Sequence, residues 1–339
     1  LDQIEWIDAT DEERIGETLT QMGVLQLDES ILPDKIEQAG QGNMNLVLRV
    51  HTDARSLIVK QSRPWVEKYP QIAAPVERIS AEAGFYDRIS GSPVVASAMP
   101  KLLAFESQRY TLVLEDLGDA TDYGFLYGSE HGHEHFPTDS AVQLLSQIHQ
   151  VRQGPGDVGC LPLRQLNADH IFTIPFADPP AIDLDGQCDG FSGIADRWRA
   201  SCFESVESRI SELEHRYLSP ASKGHLLHGD YYPGSWLKTA NGFRLIDPEF
   251  CFVGPPEFDL GVMAGHQILC GGEVDFVQEV LERYSECSAD KVPIDSMLLR
   301  GFAGVEILRR LLGVAQLPLS ASADRRGVML EMANALLCS

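Results

Sequence analysis

Three carboxylates stand at the ends of two neighbouring apolar runs. Leu226-Leu227 leads into His228-Gly229-Asp230, and Leu245-Ile246 leads into Asp247-Pro248-Glu249, with a hairpin between them. Carboxylates this close repel one another unless a cation sits among them, and hard Mg2+ is the cation that oxygen ligands favour. Phosphoryl transfer needs such a group: Asp230 to orient an attacking hydroxyl, Asp247 and Glu249 to hold Mg2+ against nucleotide phosphates. Taken singly, Asp230 is more simply a helix cap, and Asp247 and Glu249 are turn residues. All three in this order outweigh that reading.

A second constellation is Gly40-Gln41-Gly42-Asn43-Met44-Asn45. Gly40, Gly42, Asn43 and Asn45 tolerate positive φ and let backbone N–H groups approach phosphates, although such a segment is often only a turn. Lys60, at the end of the next apolar run, can reach the α- and β-phosphates, and Glu82 on the following helix can hold it. A solvated strand-end lysine is the plain alternative. A third feature is Arg309-Arg310 within Gly304–Ala315, where flanking apolar residues predict a largely buried helix. Burying arginine without a partner is costly, so at least one must face an anion or a polar cavity. That reads as an anion or polyol clamp, with a structural salt bridge to Glu306 as the alternative.

The elements around these residues follow from spacing. Thr10 and Asp11 cap a helix carrying Ile15, Leu19 and Met22, stopped near Gly23. Leu46–Val50 and Ser56–Lys60 read as strands of a hairpin turned at Thr52–Arg55, followed by a helix from Val76 to Ile89 and an alternating strand, Tyr110–Leu114. Amphipathic helices follow over Asp139–Val151 and Arg197–Leu218. A hairpin joins Trp236–Lys238 to Phe243–Ile246 through Ala240-Asn241-Gly242, and from Asp259 the pattern is helical to the end. Tyr127–Pro137 and Pro175–Pro180 read as loops. The expectation is an α+β chain: a small antiparallel-sheet lobe over residues 1–117 and a larger, mainly helical lobe over 118–339.

Composition narrows the function. The 339 residues are 44% hydrophobic and 23% charged, the mix of a globular protein with a sizeable core. Lys+Arg 27 against Asp+Glu 50 leaves a net charge of -23, which disfavours nucleic acid and anionic membrane as partners. The seven cysteines are scattered without CxxC spacing, the expectation for a reducing cytoplasm rather than a zinc ribbon or disulfide framework. No apolar run approaches membrane-helix length, and the first residues lack signal-peptide character. Residue 1 is Leu rather than Met, so the numbering is expected to begin inside a longer product.

These motifs, together with Leu57-Ile58-Val59-Lys60-Gln61, Leu114-Glu115-Asp116-Leu117, Asp247-Pro248-Glu249-Phe250 and Glu306-Ile307-Leu308-Arg309-Arg310, resemble the 5-methylthioribose kinases. That family sits among the aminoglycoside- and choline-kinase-like phosphotransferases with a protein-kinase-like two-lobe fold. The likeness runs from about Thr10 to Ala335. His-Gly-Asp marks only the broad group; Asp-Pro-Glu-Phe with the double arginine is more specific.

The resemblance implies that Asp230 is the catalytic carboxylate and that Asp247 and Glu249 hold Mg2+. ATP phosphates would lie on Lys60, steadied by Glu82, beneath the loop Gly40–Asn45, with Ser235 among the nucleotide contacts. Adenine would meet the backbone at Glu115 and Leu117. Arg309, Arg310, Tyr231 and Tyr232 would form the sugar site, and a homodimer is implied. Two segments depart from the family pattern. Tyr231-Tyr232-Pro233-Gly234-Ser235 stands where Leu-His-Thr-Gly-Ser is usual, and Gln316-Leu317-Pro318-Leu319 where His-Val-Ala-Asp is usual. Acceptor identity therefore stays open. The alternatives are an aminoglycoside or other alcohol phosphotransferase, or a catalytically silent nucleotide-binding homologue.

Overall fold

A computed structural model describes residues 4, 6–26, 28–40, 44–152, 158–219, 224–288 and 292–339. Helix α1 (Glu12–Gln21) starts at the expected cap, where Asp11 accepts from the Arg14 amide, and buries Ile15 and Leu19. A five-stranded antiparallel sheet follows, ordered β1-β2-β3-β7-β6. Its strands are β1 (Ile31–Gln38), β2 (Leu46–Thr52), β3 (Ser56–Gln61), β6 (Leu102–Glu106) and β7 (Thr111–Glu115). A small hairpin, β4 (Trp65–Val66) with β5 (Tyr69–Ala73), projects from it. Strand β1 was not expected: it is mostly exposed, contains Pro33 and is irregular between Ile31 and Ile36, so it lacks the alternation that marks a strand.

Alternation along β2, β3 and β7 sorts the two sheet faces. Leu46, Leu48, Val50, Leu57, Val59 and Val113 point outward and close a small core with Ile7, Ile15, Leu19 and Val24. Ile58 and Lys60 point the other way, opposite Leu114 and Leu112 of β7. On that inner face Leu112 and Leu114 belong to the large core. This core runs without a break through α2 (Arg78–Ile89) into the C-terminal helices, so apolar packing crosses residue 117.

Beyond β7, strand β8 (Ala120–Asp122) joins the hairpin β10 (Trp236–Thr239) and β11 (Gly242–Leu245). The pair β9 (His225–Leu227) and β12 (Phe252–Gly254) forms a second two-stranded ribbon. Helices α3 (Pro93–Ser97), α4 (Thr138–His149), α5 (Leu161–Ala168), α6 (Leu184–Gln187), α7 (Phe191–Leu218), α8 (Glu257–Leu269), α9 (Phe276–Cys287), α10 (Ser296–Leu312) and α11 (Ala323–Cys338) complete the chain. Helix α7 begins six residues before the expected Arg197 because Phe191, Ala195 and Trp198 extend its buried stripe. The expected loop Tyr127–Pro137 contains the end of one 3-10 turn (Tyr123–Gly128) and another at Gly132–His135. Helix α10 packs on α8 and α11, and α8 is buried along its whole length.

Candidate active site

The turn after β9 is built by hydrogen bonds to one buried carboxylate. Asp259, in the first turn of α8, accepts from the backbone amides of His228 at 2.7 Å and Gly229 at 3.0 Å. The His228 ring is fully buried; Nε2–H donates to the Ile246 carbonyl at 2.9 Å, leaving Nδ1 to face the Asp230 amide at 3.4 Å. Gly229 has φ +84°, and a Cβ there would overlap the Phe250 carbonyl, so only glycine lets this turn approach the turn Pro248–Phe250. Asp230 is thereby presented with its Oδ1 buried and without a hydrogen-bond partner, 3.6 Å from Arg310 Nη2. Burial pushes the Asp230 carboxyl above its ordinary range, against the pull of Arg310 and Arg309.

Ser235 corrects an expectation. It is buried; its hydroxyl donates to the Asp230 carbonyl at 2.9 Å and its amide to the Tyr232 carbonyl at 2.8 Å. Its own carbonyl accepts from Ile246, so it braces the turn rather than presenting a group to nucleotide.

Lys60 is enclosed by carboxylates. Its Nζ lies 2.8 Å from both oxygens of Glu82 and 2.6 Å from Asp247 Oδ1. Lys60 and Glu82 are buried, whereas the Asp247 side chain is 49% exposed and faces the cleft. Burial opposes charge on Lys60, yet Asp247, Glu82 and Glu249 raise its pKa well above the ordinary value. Glu82 is fully buried against the lysine, and burial pushes its carboxyl up despite Lys60. Asp247 itself sits at φ +61°, a left-handed conformation uncommon for a non-glycine residue.

Glu249 is tied to the sheet lobe. Its Oε2 accepts from Asn45 Nδ2 at 2.9 Å and lies 3.6 Å from Arg78 Nε. Asn45 Oδ1 in turn accepts from Ser62 Oγ and Arg78 Nε, each at 2.9 Å. The Asn45 side chain is therefore a buried link to Glu249, 204 residues further along the chain, made from the bend that leads into β2. Asn45 does not use positive φ, which among described non-glycine residues occurs only at Asp34, Tyr110 and Asp247. Gly40 does have φ +70° with open space around its α-carbon, while Gly42 and Asn43 lie outside the described residues.

At the segment expected to receive adenine, the Glu115 amide donates to the Lys101 carbonyl at 2.9 Å and its carboxylate accepts from the Lys101 amide. Asp116 pairs with Arg49 at 2.8 Å and accepts from the Gly118 amide, which shapes the turn around half-buried Leu117. The Glu115 N–H is thus already engaged.

The acceptor side divides the two tyrosines. Tyr231 is fully buried; its hydroxyl donates to the Ala141 carbonyl at 2.8 Å and its ring packs on Trp236 and His228. It supports the turn from behind, correcting its placement at the sugar site. Tyr232 takes the opposite direction, its ring 4.9 Å from the Arg310 guanidinium and 5.0 Å from the His266 ring. A Cβ on Gly234 would overlap that ring, so the glycine makes room for it.

Glu306 holds both arginines. Its Oε1 accepts from Arg310 Nε at 2.6 Å and its Oε2 from Arg309 Nη1 at 3.2 Å. Arg309 also reaches Asn167 Oδ1 at 3.1 Å, and Arg310 reaches the Ala315 carbonyl at 3.3 Å. Burial alone would raise the Glu306 pKa, but the two guanidiniums bring it far below the ordinary value. The salt-bridge alternative for the arginine pair is therefore realised, and Arg310 still reaches towards Asp230. Sequence reading did not single out Asp259, Arg78, Asn167 or His266. Asp259 and His266 carried a legible signal: seven residues apart, they share one face of α8.

The sheet lobe, the helical part and this cleft of carboxylates with one enclosed lysine define the class. Residues 35–292 match the model of the APH phosphotransferase enzyme family, and the chain belongs to that family. It is 25% identical to the methylthioribose kinase of Exiguobacterium sibiricum, over 84% of this chain and 80% of that one. It is 28% identical to the methylthioribose kinase of Pectobacterium atrosepticum, over 69% of this chain and 60% of that one, so it spans under two thirds of that relative. Among solved structures it shares the fold of the choline kinase LicA from Streptococcus pneumoniae, with a TM-score of 0.52 and 15% identity over 96% of this chain and 98% of that one. LicA has also been solved in complex with AMP, with a TM-score of 0.54 to this chain. The fold is protein-kinase-like, as expected.

Proposed function

We propose that this phosphotransferase moves the γ-phosphoryl of ATP to a sugar hydroxyl, with Mg2+, and that the sugar is 5-methylthioribose or a close pentose relative. The observation that carries the reading is that Asp230, its unpartnered Oδ1 beside Arg310, and Asp247, in contact with Lys60, both act on the Tyr232 and His228 side chains between them. Glu82, Asp247 and Glu249 outnumber the cations of Lys60 and Arg78 among them, so a further cation fits. Asp247 and Glu249 would hold Mg2+, which supplies charge neutralisation at the phosphates. Among the described residues no group of three or more His, Cys, Asp or Glu side chains is arranged to hold a metal ion, so Asp247 and Glu249 are proposed as a pair without Asp230.

Lys60, steadied by Glu82, exchanges its contact with Asp247 for a phosphate oxygen. Asp230 aligns the acceptor hydroxyl and takes its proton as the new O–P bond forms and the bond to the leaving ADP oxygen breaks. Its raised pKa suits that transfer. Arg310 and Tyr232 bound the acceptor. The seven cysteines stand as thiols rather than disulfides, and a cytoplasmic setting is part of this proposal. No helix among the described residues is long and apolar enough to cross a membrane.

The test is ATP consumption with methylthioribose, ribose and an aminoglycoside, comparing wild type with Asp247→Asn. The reading expects turnover with a pentose and its loss in the folded variant. Turnover with the aminoglycoside alone, or full activity in Asp247→Asn, would overturn it.

A further inference from the structure

Behind Tyr232 lies a row of buried polar side chains that ends on Asp230. Tyr127 Oη is 2.5 Å from His266 Nδ1, and His266 Nε2 is 3.0 Å from Glu306 Oε1. The same Oε1 lies 2.6 Å from Arg310 Nε, and Arg310 Nη2 lies 3.6 Å from Asp230 Oδ1. Tyr127, His266, Glu306 and Arg310 are all buried. Partner chemistry assigns the protons. An ionised Glu306 only accepts, so His266 carries hydrogen on Nε2, and its bare Nδ1 accepts from the Tyr127 hydroxyl.

Charge explains why an imidazole suits this place. Glu306 and Asp230 balance Arg309 and Arg310, and a protonated His266 would add an uncompensated positive charge. Burial, with Arg310 nearby, brings the imidazole pKa down to about 4 against the pull of Glu306. His266 therefore gives Glu306 a hydrogen bond without adding charge. The shared oxygen fixes Arg310 through Nε at 2.6 Å, and the rest of the guanidinium is left with Nη2 3.6 Å from Asp230 Oδ1. The same ring backs Tyr232 from the side opposite Arg310.

We infer that His266, oriented by Tyr127, is a positioning residue that sets Arg310 and Tyr232 against the acceptor at Asp230. This rests on the reading of Asp230 as the group that meets the acceptor hydroxyl. The two segments that depart from the family pattern meet here: Tyr232 packs on His266, and the Ser320 amide just after Gln316–Leu319 donates to the Tyr127 carbonyl at 2.9 Å.

The experiment compares His266→Gln with His266→Asn, using the acceptor that wild type phosphorylates. The glutamine amide nitrogen reaches where Nε2 sits and keeps the bond to Glu306, whereas asparagine stops at the Nδ1 position. His266→Asn should lower kcat/KM for the acceptor about tenfold or more, the usual effect of losing a hydrogen bond to a charged group. KM for ATP should stay within about twofold, and His266→Gln should recover most of the acceptor loss. In wild type at pH 7, 15N NMR should show, among the neutral imidazoles, an Nε2–H signal that is absent from His266→Gln and is thereby assigned to His266. Equal losses in the two variants, an ATP KM that moves with the acceptor KM, or a protonated His266 at pH 7 would overturn the inference. A wild type inactive on every sugar but active on another alcohol would refute the sugar reading alone; the variants are then compared on that alcohol.

Discussion

Glu306→Gln perturbs the buried charges at one atom. In the wild type one carboxylate receives three donors: Arg310 Nε at 2.6 Å, His266 Nε2 at 3.0 Å and Arg309 Nη1 at 3.2 Å. Glutamine offers one acceptor oxygen. With that oxygen towards Arg310 and His266, its NH2 group faces the Arg309 guanidinium, donor against donor. Two arginines only 7% and 6% exposed then lose their shared anion. Breaking a buried pair from one side costs about 3–5 kcal/mol, which at this chain length lowers Tm by roughly 4–7 °C. Arg310 has one carboxylate left in reach, Asp230 at 3.6 Å. Pairing with it makes Asp230 a weaker base, so kcat should fall roughly tenfold or more.

The assay is thermal unfolding followed by circular dichroism, with kcat measured at saturating acceptor. The pH dependence has a definite sign. Glu306 is held below its ordinary 4.5, so the unfolded chain takes up its proton first as pH falls. The wild-type advantage should be full above about pH 4.5 and should shrink as pH falls further. A variant melting within about 2 °C of wild type at pH 7 with unchanged kcat would refute the reasoning.

Two further outcomes follow from other parts of the cleft. Lys60→Met leaves Glu82, Asp247 and Glu249 without the cation among them and removes a phosphate contact. ATP affinity by calorimetry should drop about tenfold, an effect of about 1.4 kcal/mol, and an unchanged Kd would contradict the role given to Lys60. Gly234→Ala places a Cβ in the Tyr232 ring and drives that ring from between Arg310 and His266. KM for the acceptor should rise about fivefold or more while KM for ATP holds, and a flat acceptor KM would show that Tyr232 does not bound the acceptor.

Much of this site was legible in the amino-acid sequence because it is local. Carboxylates at the ends of short apolar runs mark strand-to-loop turns, and Asp230, Asp247 and Glu249 stand at such turns. Period-two alternation along Ser56–Gln61 sets Lys60 on the same face as Ile58. Glu306 precedes Arg309 and Arg310 by three and four residues, one helical turn, and the pairs form at that spacing. Each of these depends only on neighbours along the chain.

What only the tertiary structure decided is the fate of side chains whose partners are distant. Tyr231 and Tyr232 are adjacent and chemically alike, yet one meets Ala141 and the other His266, because the turn after Asp230 sends them apart. Asn45 lies in the bend before β2, and only the approach of Arg78 and Glu249, from a helix and a turn further along the chain, engages its side-chain amide. Asp259 looked like an ordinary first-turn acid, and only the return of β9 beside α8 brings two backbone amides onto it. Residue type sets what a group can donate or accept. Which group meets it is set by close packing of elements distant in sequence, and a buried polar group without that partner would cost too much to persist.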